Sequence, residues 1–207
     1  VREYLVPYLE RVHDAPAPTL RPWELPEVTL GLRCCAWLGH QFGLNPREIP
    51  GPRHDPRILS YSQHCRRGGR FVGVDAGARP MWNGGSPLPL STDELPWCAA
   101  LASETLRCTL LPGERPPHGL RVSVRELVED ARIAGSLRPR ETTPDPGWLA
   151  IAARAGDDPL QGGRGHVRCV IQADGDRYLG LGGNENDRIM CGWHALEAPE
   201  VRAWIAR

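Results

Sequence analysis

Lysine is absent from the 207-residue chain, and all 25 of its basic residues are arginines. This absence excludes three kinds of site that need a lysine amine: a Schiff-base enzyme, a pyridoxal-phosphate enzyme and a phosphate-binding loop of the GxxxxGK[ST] type. The arginines are balanced by 25 acidic residues, so no long-range field draws the chain onto nucleic acid or an anionic lipid surface. We therefore expect neither a nucleic-acid partner nor a membrane partner.

Long apolar runs are also missing. None approaches the ~20 residues that span a bilayer, and residues 1–30 lack the basic start and apolar core of a signal peptide. These features predict a soluble protein. Because the chain begins at Val1 rather than Met, export through a removed leader or by a carrier stays open as an alternative.

The cysteines show no metal-binding or disulfide pattern. Seven of them occur at irregular spacing, and an odd number cannot all pair within one chain. Cys34 and Cys35 are vicinal rather than CxxC, which favours neither a zinc ribbon nor a disulfide framework. His54, His64 and Cys65 are further soft ligands, but no pair has ligand-like spacing on one element. We expect no metal and no cofactor, and most cysteines to be small buried residues.

The order of predicted elements favours an α+β fold. An extended arm at 1–30, broken by five prolines, precedes one domain at 31–207. Within it, a helical half comes before a stranded half. Hydrophobic spacing predicts helices over 28–42, 58–65, from 96 onward and over 124–133, and strands over 148–153, 166–173, 177–181 and 188–193. The Asp-Gly-Asp turn at 174–176 makes 166–181 a hairpin, and the Gly/Pro-rich segment 66–90 is typical of a functional loop.

Cys98 is the strongest candidate for a reactive residue. The sequence S-T-D-E-L-P at 91–96 supplies N-cap residues and a first-turn proline, so the next helix begins near Pro96 and holds Cys98 in its first turn. The amides and dipole at a helix N-terminus favour a thiolate. A randomly chosen cysteine is more often a buried apolar residue, and the position of Cys98 is what favours a chemical role.

A nucleophilic thiol needs a base and a group that orients the base. His166 begins a predicted strand after the glycine-rich G-G-R-G run, which allows a close approach to the helix. His118 in P-P-H-G is the rival base. Asn184, in L-G-G-N-E-N-D, is predicted to lie on the strand beside His166 and to accept a hydrogen bond from its ring, although Asn and Gly also occur in any tight turn.

Four sequence blocks resemble, in order, those of the NlpC/CHAP-type papain-like hydrolases of bacteria and phages. The sequence D-E-L-P-W-C-A-A at 93–100 is similar to the block that carries the family's catalytic cysteine. The histidine block is matched by G-R-G-H-V at 163–167, after which Arg168 stands in place of a glycine. The third block is matched by L-G-G-N-E-N at 181–186. Upstream, residues 44–61 are similar to a segment that ends G-P-x-H-N-P-R-I-L-x-Y. The resemblance covers roughly residues 30–193, and Pro146–Gly147–Trp148 departs from the family's P-G-D.

This resemblance implies a papain-like fold, with the nucleophile helix packed on a small antiparallel sheet, and cleavage of amide bonds in peptidoglycan as an amidase or endopeptidase. Carried over by position, the catalytic residues are Cys98, His166 and Asn184. The Cys98 amide and a group among Asp93, Glu94 and Trp97 would hold the oxyanion or the substrate. The implied settings are cell-wall remodelling, phage lysis or an antibacterial toxin acting in the periplasm or cell wall, with an inhibitor or immunity protein as a further partner.

Two other functions remain open from the sequence. The same three residues serve papain-like proteases and deamidases that act on proteins. A non-catalytic module that keeps the fold and binds a peptide or glycan in its cleft is the alternative from another class.

Overall fold

A computed structural model describes residues 26–49, 54–74, 80–87, 96–114 and 116–207. Most of the expected N-terminal arm, together with Asp93 and Glu94, lies outside the described residues. The helices are α1 (Leu30–Leu44), α2 (Pro56–Ser60), α3 (Cys98–Thr109) and α4 (Val124–Ala134). The strands are β1 (Arg66–Arg67), β2 (Arg70–Val74), β3 (Pro80–Asn83), β4 (Ser86–Pro87), β5 (Leu137–Pro139), β6 (Leu149–Ala153), β7 (Gly165–Asp174), β8 (Arg177–Glu185), β9 (Arg188–Ala195) and β10 (Val201–Ile205).

Local sequence signals set the helix ends. The Thr29 hydroxyl accepts a hydrogen bond from the Leu32 amide at 3.4 Å at the start of α1, and Asn45 ends that helix in the left-handed conformation, with φ 47°. Gly135, with φ 71°, ends α4 in the same way. The helices predicted from 96 onward and over 124–133 are confirmed to within two residues, and the one predicted over 28–42 is confirmed with shifted ends. The helix predicted over 58–65 is confirmed only at 58–60, because α2 ends at Ser60 and turns follow it.

The stranded half forms one antiparallel sheet of six strands in the order β5-β10-β6-β7-β8-β9. The predicted hairpin is confirmed as β7 and β8, which pair from Arg168↔Gly182 to Asp174↔Arg177. The sequence prediction did not include β5 and β10, which pair with each other and join the sheet beside β6. Helices on an antiparallel sheet confirm the α+β class.

The core lies between this sheet and the helices. Leu101 and Leu106 of α3 are buried with Val167 of β7 and Leu181 of β8, and α1 packs beside α3. Burial of each such side chain contributes about 1.5–3 kcal/mol. On the opposite face of the sheet, Val170 of β7, Tyr178 of β8 and Trp204 of β10 belong to a smaller cluster. This packing holds the first residue of α3 against the start of β7.

The segment predicted as a long loop, 66–90, is partly built of strands. β1 pairs with β4 and β2 pairs with β3, both antiparallel. The base of the segment is tied to the domain by Arg121, whose guanidinium forms a buried ion pair with Asp130 and donates to the carbonyls of Gly68 (2.6 Å) and Gly69 (3.1 Å). Residues 66–69 therefore have a defined position next to α4.

Candidate active site

Cys98 is the first residue of α3 and so lies in the first helical turn, as the sequence predicted. Trp97 precedes it at the N-cap position, and the Trp97 carbonyl accepts the helical hydrogen bond from the Leu101 amide at 2.9 Å. The side chain of Cys98 is only 3% exposed, yet it borders a cleft of about 650 Å³. The thiol is thus shielded from bulk water while it faces a space large enough for a peptide segment.

His166 on β7 contacts the Cys98 thiol. Its imidazole lies close enough to the Cys98 sulfur for each group to shift the pKa of the other, and its Nε2 lies 3.0 Å from Oε1 of Glu185. Because Nε2 faces the carboxylate, Nδ1 is the ring nitrogen left for the sulfur. Antiparallel pairing with Ala152 of β6 holds the backbone of His166 in place. The predicted pairing of Cys98 with His166 is present in the structure.

The environment favours charge separation between the two groups. Burial raises the pKa of Cys98, but the hydrogen bond and charge of His166, the Val167 amide and the Arg154 guanidinium act in the opposite direction and hold this pKa below its ordinary value. For His166, burial lowers the pKa, but the bonds to Cys98 and Glu185 raise it to about 9. A lowered thiol pKa beside a raised imidazole pKa favours the thiolate–imidazolium pair over the neutral thiol and neutral imidazole.

The group that orients His166 is Glu185, and the expectation for Asn184 needs correction. The Asn184 amide bonds other partners than the imidazole: its Oδ1 accepts from Arg154 Nη2 at 3.3 Å, and its Nδ2 donates to Glu48 Oε1. The Glu185 carboxylate bonds His166 and also accepts from Arg168 Nε at 2.8 Å. Burial raises the pKa of Glu185, but these two partners lower it to about 2, so it stays ionised.

A β-bulge explains this exchange of neighbours. Continuing the regular register from Arg168↔Gly182 would place Asn184 opposite His166. The pairing of β8 with β9 shifts between Gly182 and Glu185, and Asn184 takes the left-handed conformation with φ 60°. An extra residue in one strand re-aims the following side chains. Glu185 therefore takes the place beside the ring that the sequence predicted for Asn184.

The structure gives the remaining predicted residues other positions. Trp97 has a fully buried side chain whose Nε1 donates to Glu48 Oε1 at 2.8 Å, so its ring supports the site from within the core rather than binding substrate. The predicted oxyanion residues Asp93 and Glu94 lie outside the described residues. The rival base His118 is fully buried, with Nδ1 2.7 Å from the Gly119 carbonyl.

Sequence reasoning missed Glu185, Arg168 and Arg154. Glu185 stands inside the quoted L-G-G-N-E-N block, between two asparagines that both have positive φ. Asparagine adopts this conformation more readily than most residues, so the N-E-N string was a usable signal for a bulge. Arg168 fills the position where the resembling family has glycine, and its guanidinium pairs with Glu185.

Metal ligands and membrane spans were also sought across the described ranges. Over those residues, no three or more His, Cys, Asp or Glu side chains are grouped so as to hold a metal ion, and no helix has the length and apolar character to cross a bilayer. All seven cysteines are free thiols, five of them buried.

Comparison of the chain with protein-family models, with curated proteins and with solved structures found no match.

Proposed function

We propose that the chain is a papain-like cysteine hydrolase that cleaves an amide bond of peptidoglycan, acting at the bacterial cell wall. The observation that carries the proposal is the row Cys98–His166–Glu185, in which a thiol with a lowered pKa, an imidazole with a raised pKa and an ionised carboxylate are in contact. A nucleophile, a base and a group that orients the base are the parts that covalent amide hydrolysis requires.

The proposed reaction has two steps. The Cys98 thiolate attacks the amide carbonyl, and the imidazolium of His166 gives its proton to the departing amine, leaving a thioester and a neutral imidazole. His166 then takes a proton from water, whose oxygen attacks the thioester, and returns that proton to the sulfur as the acid is released. Glu185 keeps the ring oriented and stabilises its positive charge throughout.

The helix N-terminus supplies the remaining element of the mechanism. The backbone amide of Cys98 belongs to the first turn of α3, where amides have no carbonyl partner within the helix. Such an amide donates to the oxyanion of a tetrahedral intermediate, and removing one oxyanion donor typically costs about 10²–10³ in kcat.

Peptidoglycan is proposed as the substrate because of the four ordered blocks that resemble the NlpC/CHAP-type hydrolases. The papain-like arrangement rests on the same resemblance, and a nucleophile helix packed on an antiparallel sheet that carries the histidine is consistent with it. The side chains around Cys98 support amide cleavage in general and do not select peptidoglycan over protein.

Digestion of purified sacculi tests this proposal. We expect the wild-type protein to release soluble peptides or to free amino groups, and Cys98→Ala to release none. Cys191→Ala, which removes a half-buried thiol on β9, is the matched control and keeps activity. Cleavage of proteins without any release from sacculi would overturn the assigned substrate, and equal activity of wild type and Cys98→Ala would overturn the mechanism.

A further inference from the structure

The cleft beside Cys98 is rich in positive charge although the whole chain is neutral. Four arginines, Arg67, Arg125, Arg154 and Arg164, line it, against two carboxylates, Glu126 and Asp157. The local excess of positive charge therefore arises from the fold, which gathers arginines from β1, from α4 and from the segments on either side of the Pro159–Gln161 turn.

Two of these arginines already have partners. Arg164 forms an ion pair with Asp157 at 2.6 Å, and Arg154 donates to the Asn184 amide. Glu126 Oε1 is occupied by the Gly68 amide at 2.8 Å. Arg67 and Arg125 are exposed, and in the part of the chain that the structure describes neither side chain has a hydrogen-bond or ion-pair partner. The guanidinium groups of Arg67 and Arg125 therefore carry the unpaired positive charge of the cleft.

Both arginines project from anchored backbone. Arg125 lies in the first turn of α4, whose ends are defined by Ser123 and Gly135. Arg67 lies in β1, where the neighbouring Arg66 amide bonds the Leu120 carbonyl at 3.0 Å and Arg121 holds the following Gly68 carbonyl. Two guanidinium groups from neighbouring, positioned elements thus face the same cleft that borders the thiol.

We propose that Arg67 and Arg125 bind a carboxylate group of the substrate, and so select peptides that carry a free carboxylate near the amide that is cut. This inference rests on the proposed function and names its substrate class more closely. A guanidinium matches the planar carboxylate with paired hydrogen bonds. Glu126 and Asp157 in the same walls disfavour a polyanion, and the balanced net charge provides no long-range attraction for one.

The test compares stem peptides in which each carboxylate in turn is free or amidated. For wild type we expect amidation of at least one carboxylate to lower kcat/KM by about tenfold. Arg67→Gln and Arg125→Gln should each lower kcat/KM for the free acid about threefold, and the double variant about tenfold, with little effect on the amidated peptide. Arg132→Gln is the matched control, because Arg132 lies on the same helix, outside the cleft, and pairs with Glu129.

Two results would overturn this inference while the proposed function stands. One is Cys98-dependent cleavage that does not distinguish free from amidated peptides. The other is an equal loss on both peptides in the arginine variants. If no peptide is cleaved, the affinity of the same peptides for Cys98→Ala is measured by calorimetry. Tighter binding of the free acid than of the amidated peptide, lost when Arg67→Gln and Arg125→Gln are added, supports the inference. Equal affinity for the two peptides contradicts it.

Discussion

Replacing Glu185 by Gln removes the negative charge beside His166 while it keeps the length and an oxygen acceptor. The carboxylate lies 3.0 Å from Nε2, and its side chain is 21% exposed, so water screens the contact only partly. A hydrogen bond to a charged group contributes about 1.5–3 kcal/mol. That energy corresponds to a loss of about 10- to 100-fold in kcat/KM if Glu185 stabilises the imidazolium in the rate-limiting step.

The same substitution shifts the pH dependence of activity. In wild type, the imidazolium of His166 persists up to its pKa, which is about 9. Glu185→Gln lowers this pKa by about 1 to 2, since 1.36 kcal/mol corresponds to a tenfold change in proton affinity. Above its pKa the ring is neutral and has no proton for the leaving amine. We therefore expect the alkaline limb of the kcat/KM profile to move to lower pH.

The assay is steady-state cleavage measured from pH 5 to 10, with two comparison proteins. Glu141→Gln makes the same chemical change at a side chain that is 75% exposed, and should leave the profile unchanged. Asn184→Gly removes the amide that the sequence predicted to orient His166, and glycine tolerates its left-handed conformation. An Asn184→Gly enzyme that loses more activity than Glu185→Gln, or an alkaline limb unmoved in Glu185→Gln, would refute the role given to Glu185.

Three further predictions follow from individual contacts. In Gly182→Ala the new methyl would lie 2.4 Å from Glu185 Oε1 and displace that flexible carboxylate, so we expect activity to fall at least tenfold while the melting temperature changes little. Gly192→Ala on β9 is the control: it has room for the methyl and should keep both its activity and its melting temperature. Iodoacetamide near pH 7 should label Cys98 first, as mass spectrometry of the peptides will reveal, because its pKa is lowered; preferential labelling of another thiol would contradict this. Burial and the nearby Arg207 lower the pKa of His118 to about 3, so below pH 6.5 the unfolded chain binds this proton while the folded protein does not, and the free energy of unfolding falls by about 1.4 kcal/mol per pH unit between pH 6.5 and 3. In His118→Gln, the free energy of unfolding measured with urea should fall less steeply with decreasing pH. The same pH dependence in wild type and variant would count against the assignment.

The helices were predictable because their signals are local. Pro96 and the apolar run after Cys98 indicate a helix start, and Gly135 indicates an end, without reference to any other part of the chain. The N-cap residue itself is Trp97, without a side-chain cap bond, rather than one of the polar residues at 91–94. The hairpin β7–β8 was predictable for the same reason, since its turn lies within its own sequence. Strand β10 was not, because it is defined by its pairing with β5 and β6, which lie some 50 to 70 residues earlier.

The same distinction between local signals and long-range pairing applies to the candidate site. The sequence alone was enough to select Cys98 and His166, because a thiol in the first turn of a helix and a histidine at the start of a strand are properties of short segments. Which side chain meets the far side of the His166 ring depends on a one-residue bulge in β8, and that bulge arises from pairing with β9. Sequence-local reasoning placed Asn184 there, and the tertiary structure placed Glu185, because a shift of one residue turns a strand's side chain to the other face.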